Sequence, residues 1–327
     1  MAPRVSFDPP LLNTSSAFSS TLEQLTALYH SPSTGAVTTR TALLNEGYKE
    51  TPELHRHIFF QAPLSDPLVA VPGEDAKLDA TPVSAINTYG YSKYALSYYL
   101  SALELLVPKH ASQKKPFIIS VAGTPEEVAE AVARISRFTT EKHLQVLVEL
   151  NLSCPNISGT APAGYSPESI HAYIEALPSD RSVVPIGLKV PPFTYAEQMR
   201  DVVRALEARP GAISFLTATN TLGNVLYAPP GKSTYAQHSV SLAPYLYGAM
   251  SGAMIHPLAL GNVFSLRNLL DESPLELVKE VAIIGAGGVT DHAGFTRMRE
   301  VGASAVGVAT VLGYRGVAAL DNILSPI

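Results

Sequence analysis

Eight short apolar runs, separated by stretches with apolar residues at helical spacing, constrain this chain more than any other feature. A strand buried on both faces reads as a continuous apolar run, and such strands belong to parallel sheets whose crossovers are helices. The runs lie at 11–15, 35–40, 117–123, 144–153, 185–190, 212–220, 281–288 and 303–310. Helices are predicted between them at 21–30, 91–106, 125–138, 195–208, 256–270 and 291–301. The helix at Pro125 has the clearest start, with Thr124 as cap, proline at the first helical position and Glu126 and Glu127 in the first turn. This alternation predicts an α/β fold, a (β/α)8 TIM barrel rather than an open sheet.

One interval breaks the rhythm. Residues 41–90 follow the second run and are rich in Pro, Asp and His. Loops of that length are lids or carry structure of their own, so an inserted excursion over the barrel mouth is expected within a single domain, 1–327. Apolar residues make up 46 % and charged ones 16 %, enough to bury a large core. The net charge of −5, with Lys and Arg scattered, argues against a nucleic-acid partner. A single cysteine permits no intramolecular disulfide and fits a reducing compartment. No uninterrupted apolar run approaches the roughly 18 residues of a membrane span. The first ten residues, with Arg4 and Asp8, read as neither signal nor transit peptide, which makes the cytoplasm the expected location.

Barrel chemistry sits at the C-terminal ends of the strands. Those ends carry Thr14-Ser15-Ser16, Arg40, Gly123, Asn151 to Cys154, Lys189, Asn220-Thr221, Gly287-Gly288 and Ala309-Thr310. Turns explain the glycines and hydroxyls but not Lys189, Asn220 and Cys154 on one rim. Gly287-Gly288 after the seventh strand and Ala309-Thr310 after the eighth lie where many barrels bind phosphate through backbone N–H groups. Ser251-Gly252 offers further donors. A lone cysteine is more often an inert buried side chain. Cys154, however, ends a strand, precedes Pro155 and stands among hydrogen-bonding side chains, where a thiolate is placed to act as a base. Lys189 either lies along the barrel wall or directs its ammonium at an electron-rich cofactor. His55 and His57 have no further ligand at metal spacing and read as surface histidines. The tyrosines from Tyr89 to Tyr99 suit helix packing, with Tyr89 and Tyr91 flanking Gly90 ahead of the helix.

Asn151-Leu152-Ser153-Cys154-Pro155-Asn156 resembles the active-site loop of the dihydroorotate dehydrogenases whose base is cysteine. The likeness continues through PIGLKVPPF at 185–193, ATNTLGN at 218–224, MSGAMIHPLALGNV at 250–263 and IIGAGGV at 283–289. It runs from LNTSSAF near the start to Thr310. The resemblance implies FMN as cofactor and oxidation of (S)-dihydroorotate to orotate in pyrimidine biosynthesis. It implies that Cys154 removes the C5 proton while hydride passes from C6 to flavin N5. Asn87, Asn151, Asn156, Asn220 and Thr221 would hold the ring and its carboxylate, with Arg40, Tyr89, Gly90 and Tyr91 completing the substrate site. The FMN would be surrounded by Ser15, Ser16, Arg40, Thr41, Asn87, Asn151, Lys189 and Thr219. Its phosphate would lie towards Ser251, Gly252, Gly287, Gly288, Ala309 and Thr310. No metal is implied.

Within the family the chain most resembles the homodimeric class that returns electrons to fumarate. An NAD-linked class shares the cysteine, whereas the quinone-using class has serine in its place. Three departures stand out. Arg40 occupies the position of a family lysine, Asn87-Thr88-Tyr89-Gly90 replaces an Asn-x-Met-Gly turn, and the stretch between Arg40 and Asn87 is extended. They leave open a flavin oxidoreductase acting on another dihydropyrimidine or enone. A barrel that binds a phosphorylated ligand without redox chemistry is the alternative from a different class.

Overall fold

A computed structural model describes residues 5–61, 83–107, 115–157, 159, 161–178, 184–227 and 246–325. In chain order its strands are β1 (Leu11–Asn13), β2 (Val37–Thr38), β3 (His57–Gln61), β4 (Val83–Asn87), β5 (Phe117–Val121) and β6 (Val146–Asn151). They continue with β7 (Ile186–Lys189), β8 (Phe215–Ala218), β9 (Leu222–Tyr227), β10 (Leu246–Gly252), β11 (Ala282–Ala286) and β12 (Ala305–Val308). Each of the eight predicted runs contains one strand of the parallel sheet, ordered β1-β12-β11-β8-β7-β6-β5-β2. The strands are shorter than the runs at both ends, and the polar residues at their C-terminal ends pass into the loops above the ladder. These are the strands of a TIM barrel, with helices in the intervals.

The interior of the barrel holds Leu12, Ala36, Ile118, Leu147, Phe215, Ala282, Ile284 and Ala305, plugged from below by Val5 and Phe7. Outward-facing residues of the same strands pack on the helices. The helix Pro125–Lys142 shows why those helices form. Thr124 and Glu127 close a reciprocal capping box, and Val128, Ala131, Val132 and Ile135 bury one stripe at helical spacing. A helix at Pro167–Ala176, started by the Ser166 side chain, fills the interval between β6 and β7.

Closure between β1 and β2 uses little backbone. Gly35 N–H donates to the Leu11 carbonyl at 2.8 Å, and Leu12 forms a single parallel bridge with Ala36. The next rung is a side chain. Fully buried Asn13 donates to the Thr38 carbonyl at 2.6 Å and accepts from Thr38 N–H at 2.9 Å, standing in for a missing ladder residue. Gly35 is required there, since a Cβ would lie 2.1 Å from the Pro9 carbonyl oxygen.

A second sheet, antiparallel and ordered β3-β4-β10-β9, lies at the C-terminal end of the barrel. Half of it comes from the inserted segment and half from the stretch after β8. Residues 62–82 of the insertion lie outside the described residues. The hairpin partners β9 and β10 were not anticipated, because their residues alternate weakly and include Gly223 and Gly248. Among the described residues no helix is long and apolar enough to cross a membrane.

Replacing Asn13 by Ala removes both side-chain hydrogen bonds to Thr38 and leaves the Thr38 amide without its partner inside the barrel. The expected loss is about 2–4 kcal/mol, read as a lower urea midpoint. An unchanged midpoint would show that backbone contacts alone hold the closure.

Candidate active site

Between the barrel rim and the antiparallel sheet lies one pocket with about 1110 Å³ of empty space, its mouth included. Every site residue singled out in the sequence lines it. Ser15, Ser16, Arg40 and Thr41 come from the loops after β1 and β2, and Asn87, Tyr89, Gly90 and Tyr91 from the end of β4. Asn151, Cys154, Asn156, Lys189, Thr219, Asn220 and Thr221 follow β6, β7 and β8. Ser251, Gly252, Gly287, Gly288, Ala309 and Thr310 form the opposite wall.

The amide side chains are fixed by one another. Asn156 donates to the Tyr89 carbonyl at 2.9 Å and to Asn87 Oδ1 at 3.2 Å, and Tyr89 N–H also donates to Asn87 Oδ1. Asn151 donates to Thr41 Oγ1 at 2.9 Å and accepts from both N–H and Oγ of Ser153. Asn220 donates to Ser153 Oγ at 2.9 Å and accepts from Thr221 N–H at 2.8 Å. Such mutual bonding holds the recognition groups in place before any ligand arrives. Cys154 is a free thiol at partial exposure within this loop. Burial raises its pKa, while the Asn156 backbone N–H and the charges of Lys189 and Arg40 pull it down.

Lys189 is buried, and among the described residues its ammonium makes one hydrogen bond, to the Ser15 carbonyl at 3.3 Å. Burial lowers its pKa and the carboxylate of Glu149 raises it. Glu149 is 1 % exposed and accepts from Ser120 Oγ at 2.9 Å and Thr217 Oγ1 at 2.7 Å. The chain of hydroxyls runs on from Ser120 through Thr41 to Ser15. Thr219 Oγ1 is buried with no partner among the described residues. An ammonium with spare donors and an unpaired hydroxyl on the same wall suit a flat ligand rich in acceptors. Across the pocket, Gly252 and Gly288 have φ of 81° and 73°. A Cβ on Gly288 would lie 2.6 Å from the Gly252 carbonyl oxygen, and one on Gly252 would lie 3.0 Å from Thr310 Cγ2. Three turns thus meet as bare backbone, with Thr310 Oγ1 donating to Ser251 Oγ at 2.9 Å, a wall suited to a phosphate.

Two expectations need correction. His57 is not a surface residue: it sits half-buried in β3 and lines the pocket, with Nδ1 2.9 Å from the Tyr89 hydroxyl. Its ring meets Phe18 and Phe59 edge-on at 5.5 and 4.7 Å, and burial lowers its pKa. The apolar sequence His57-Ile58-Phe59-Phe60 was the available signal for a strand. His55 is also half-buried, accepting from Thr51 N–H at 2.8 Å. Neither belongs to a metal cluster, and among the described residues there is none. Sequence reasoning also missed Glu50. Arg40 Nη2 donates to Glu50 Oε1 at 2.5 Å and to the Gly90 carbonyl at 3.0 Å, with the guanidinium 5.4 Å from the Tyr89 ring centre.

Comparison with known proteins places the chain in a family. The dihydroorotate dehydrogenase family pattern matches residues 74–327. A dihydroorotate dehydrogenase (fumarate) of Trypanosoma brucei brucei is 30 % identical over 239 residues, 72 % of this chain and 69 % of the relative. The dihydroorotate dehydrogenase A (fumarate) of Lactococcus lactis subsp. cremoris is 26 % identical over 323 residues, 98 % of this chain and 90 % of its own. The ligand-free crystal structure of the Eimeria tenella dihydroorotate dehydrogenase superposes with a TM-score of 0.65 at 18 % identity. It covers 96 % of this chain and 82 % of that one, and so shares the fold. Matched by the family pattern from residue 74 to its last residue, this chain belongs to the dihydroorotate dehydrogenase family.

Proposed function

We propose that this chain oxidises (S)-dihydroorotate to orotate with FMN as cofactor and fumarate as the acceptor, within pyrimidine biosynthesis. The observation that carries the reading is Cys154 on a loop locked by Asn151, Asn156 and Asn220, in a pocket also lined by Lys189 and bare glycine turns. The relatives named for fumarate support the acceptor. FMN fits the residues present: Lys189, Ser15, Thr41 and Thr219 would meet its ring, and Ser251, Gly252, Gly287, Gly288, Ala309 and Thr310 its phosphate. Bound there, FMN supplies a two-electron acceptor for the hydride leaving C6 and a donor for the reduction of fumarate. Cys154 Sγ, as thiolate, takes the C5 proton. Asn87, Asn151, Asn156 and Asn220 present donors and acceptors to the ring edge, and the amide bonds among them set its plane. Lys189 places positive charge where the ring system becomes electron-rich. The family likeness supports a cytoplasmic, single-domain homodimer as the working form.

The pairing of Arg40 with Glu50 favours a second reading, an uncharged dihydropyrimidine as substrate, because the cation nearest the substrate turn already has a counter-charge. Mixing the yellow protein anaerobically with dihydroorotate separates the two. Bleaching that reverses on adding fumarate is expected, whereas bleaching with dihydrouracil alone would establish the second reading.

Cys154→Ala is expected to retain the flavin and slow its reduction by about 10²–10⁴-fold. Normal turnover by that variant would remove cysteine from the mechanism. The base acts only when deprotonated, and burial raises its pKa, so flavin reduction should climb with pH through the ordinary thiol range and beyond. Cys154→Ser should move the rising limb further up. A flat profile from neutral to alkaline pH would contradict the assignment.

A further inference from the structure

Arg40 is held from one side only. Its side chain is 6 % exposed, and both of its hydrogen bonds use Nη2, to Glu50 and to the Gly90 carbonyl. Nη1 and Nε have no partner among the described residues, although the side chain lines the pocket. Glu50 is 21 % exposed, and the chain is pinned on either side of it. Tyr48 N–H donates to the Ser92 carbonyl at 2.7 Å, and the Tyr48 ring lies so close to Gly90 that a Cβ there would be 2.5 Å from Cε1. Thr51, on the other side of Glu50, donates to the His55 ring. The carboxylate therefore stands behind Arg40, outside the pocket lining, brought there by the segment that follows β2.

From this geometry we propose that Glu50 is a specificity-determining residue, an internal carboxylate that fixes Arg40 by one edge and offsets its charge, so limiting how far the site prefers a ring acid to the uncharged ring. The inference rests on the ring substrate proposed above. A buried guanidinium without a counter-ion draws any carboxylate within reach, since an uncompensated buried charge is costly. With Glu50 in place, an acid docking on Nη1 becomes the second anion on one cation, and its attraction to Arg40 is opposed by Glu50. The contacts from Asn87, Asn151, Asn156 and Asn220 involve no net charge and act on acid and neutral rings alike.

Glu50→Gln isolates the charge, because the amide oxygen still accepts from Nη2. The FMN-loaded parent and variant are titrated with orotate and with orotamide, its uncharged amide, following the flavin absorption band. Glu50→Gln is expected to tighten orotate by about tenfold, the size of 1.4 kcal/mol, and to change orotamide by less than about twofold. An orotate affinity that is unchanged or weaker, or an equal shift for both ligands, overturns the inference. If Glu50→Gln does not fold, Glu50→Asp keeps the charge. Its orotate-to-orotamide ratio should stay within about twofold of the parent, and a larger change would overturn the assignment to charge. A parent protein that binds neither ring would overturn the proposed substrate and the inference with it. Binding of both rings with an unchanged ratio in Glu50→Gln would overturn the inference alone.

Discussion

A parallel barrel must bond its last-formed edge to its first, and here that requirement falls on the contact between β1 and β2. β2 has only two ladder residues, so backbone alone cannot complete the circuit. The Asn13 side chain supplies the remaining donor and acceptor to Thr38, in a place where water cannot substitute. The arrangement of the pocket follows. With β1 and β2 in register, Ser15 and Thr41 meet through their hydroxyls at 2.9 Å, and the Ser15 carbonyl lies under the Lys189 ammonium.

Beneath the pocket the barrel departs from an apolar interior. Glu149, Ser120, Thr217 and Thr41 form a bonded polar layer between the hydrophobic plug below and the site above. A buried carboxylate is tolerated when its oxygens are occupied and an opposite charge is near, and Lys189 is that charge. The same balance recurs at the rim, where Glu50 faces Arg40. Cys154 feels both cations, which counter the effect of burial on its thiol. The chemistry of the pocket is thus governed by few charges, each matched by a neighbour.

What could be read in advance follows from burial. Strands β5, β6, β7 and β8 are buried along their whole length, so each stands out as a mainly apolar run in spite of Ser120, Glu149, Lys189 and Thr217. Once the barrel is recognised, its C-terminal rim directs attention to Asn151, Cys154, Lys189 and Asn220 without further information. The antiparallel sheet gives no comparable signal. β9 is half-exposed and contains a glycine, and its partner β10 reads as a turn leading to a helix. Glu50 leaves no trace in any periodicity, because an ion pair needs only two side chains in the right place. His57 was misjudged for a related reason: its surroundings, Phe18 and Tyr89, lie far from it in the chain.

The antiparallel sheet joins parts of the polypeptide that are made at very different times. Met254 N–H bonds Ser84 Oγ, a contact between residues 170 positions apart. A nascent chain leaving the ribosome exposes Arg40, Glu50 and Asn87 well before β10 exists to roof them. Long-range pairing of this kind forms late, after the closure entropy of the intervening segment has been overcome. Ligand binding therefore belongs to the finished protein, since a product truncated before β10 lacks not only the roof but also β11 and β12, which link β8 to β1 in the barrel.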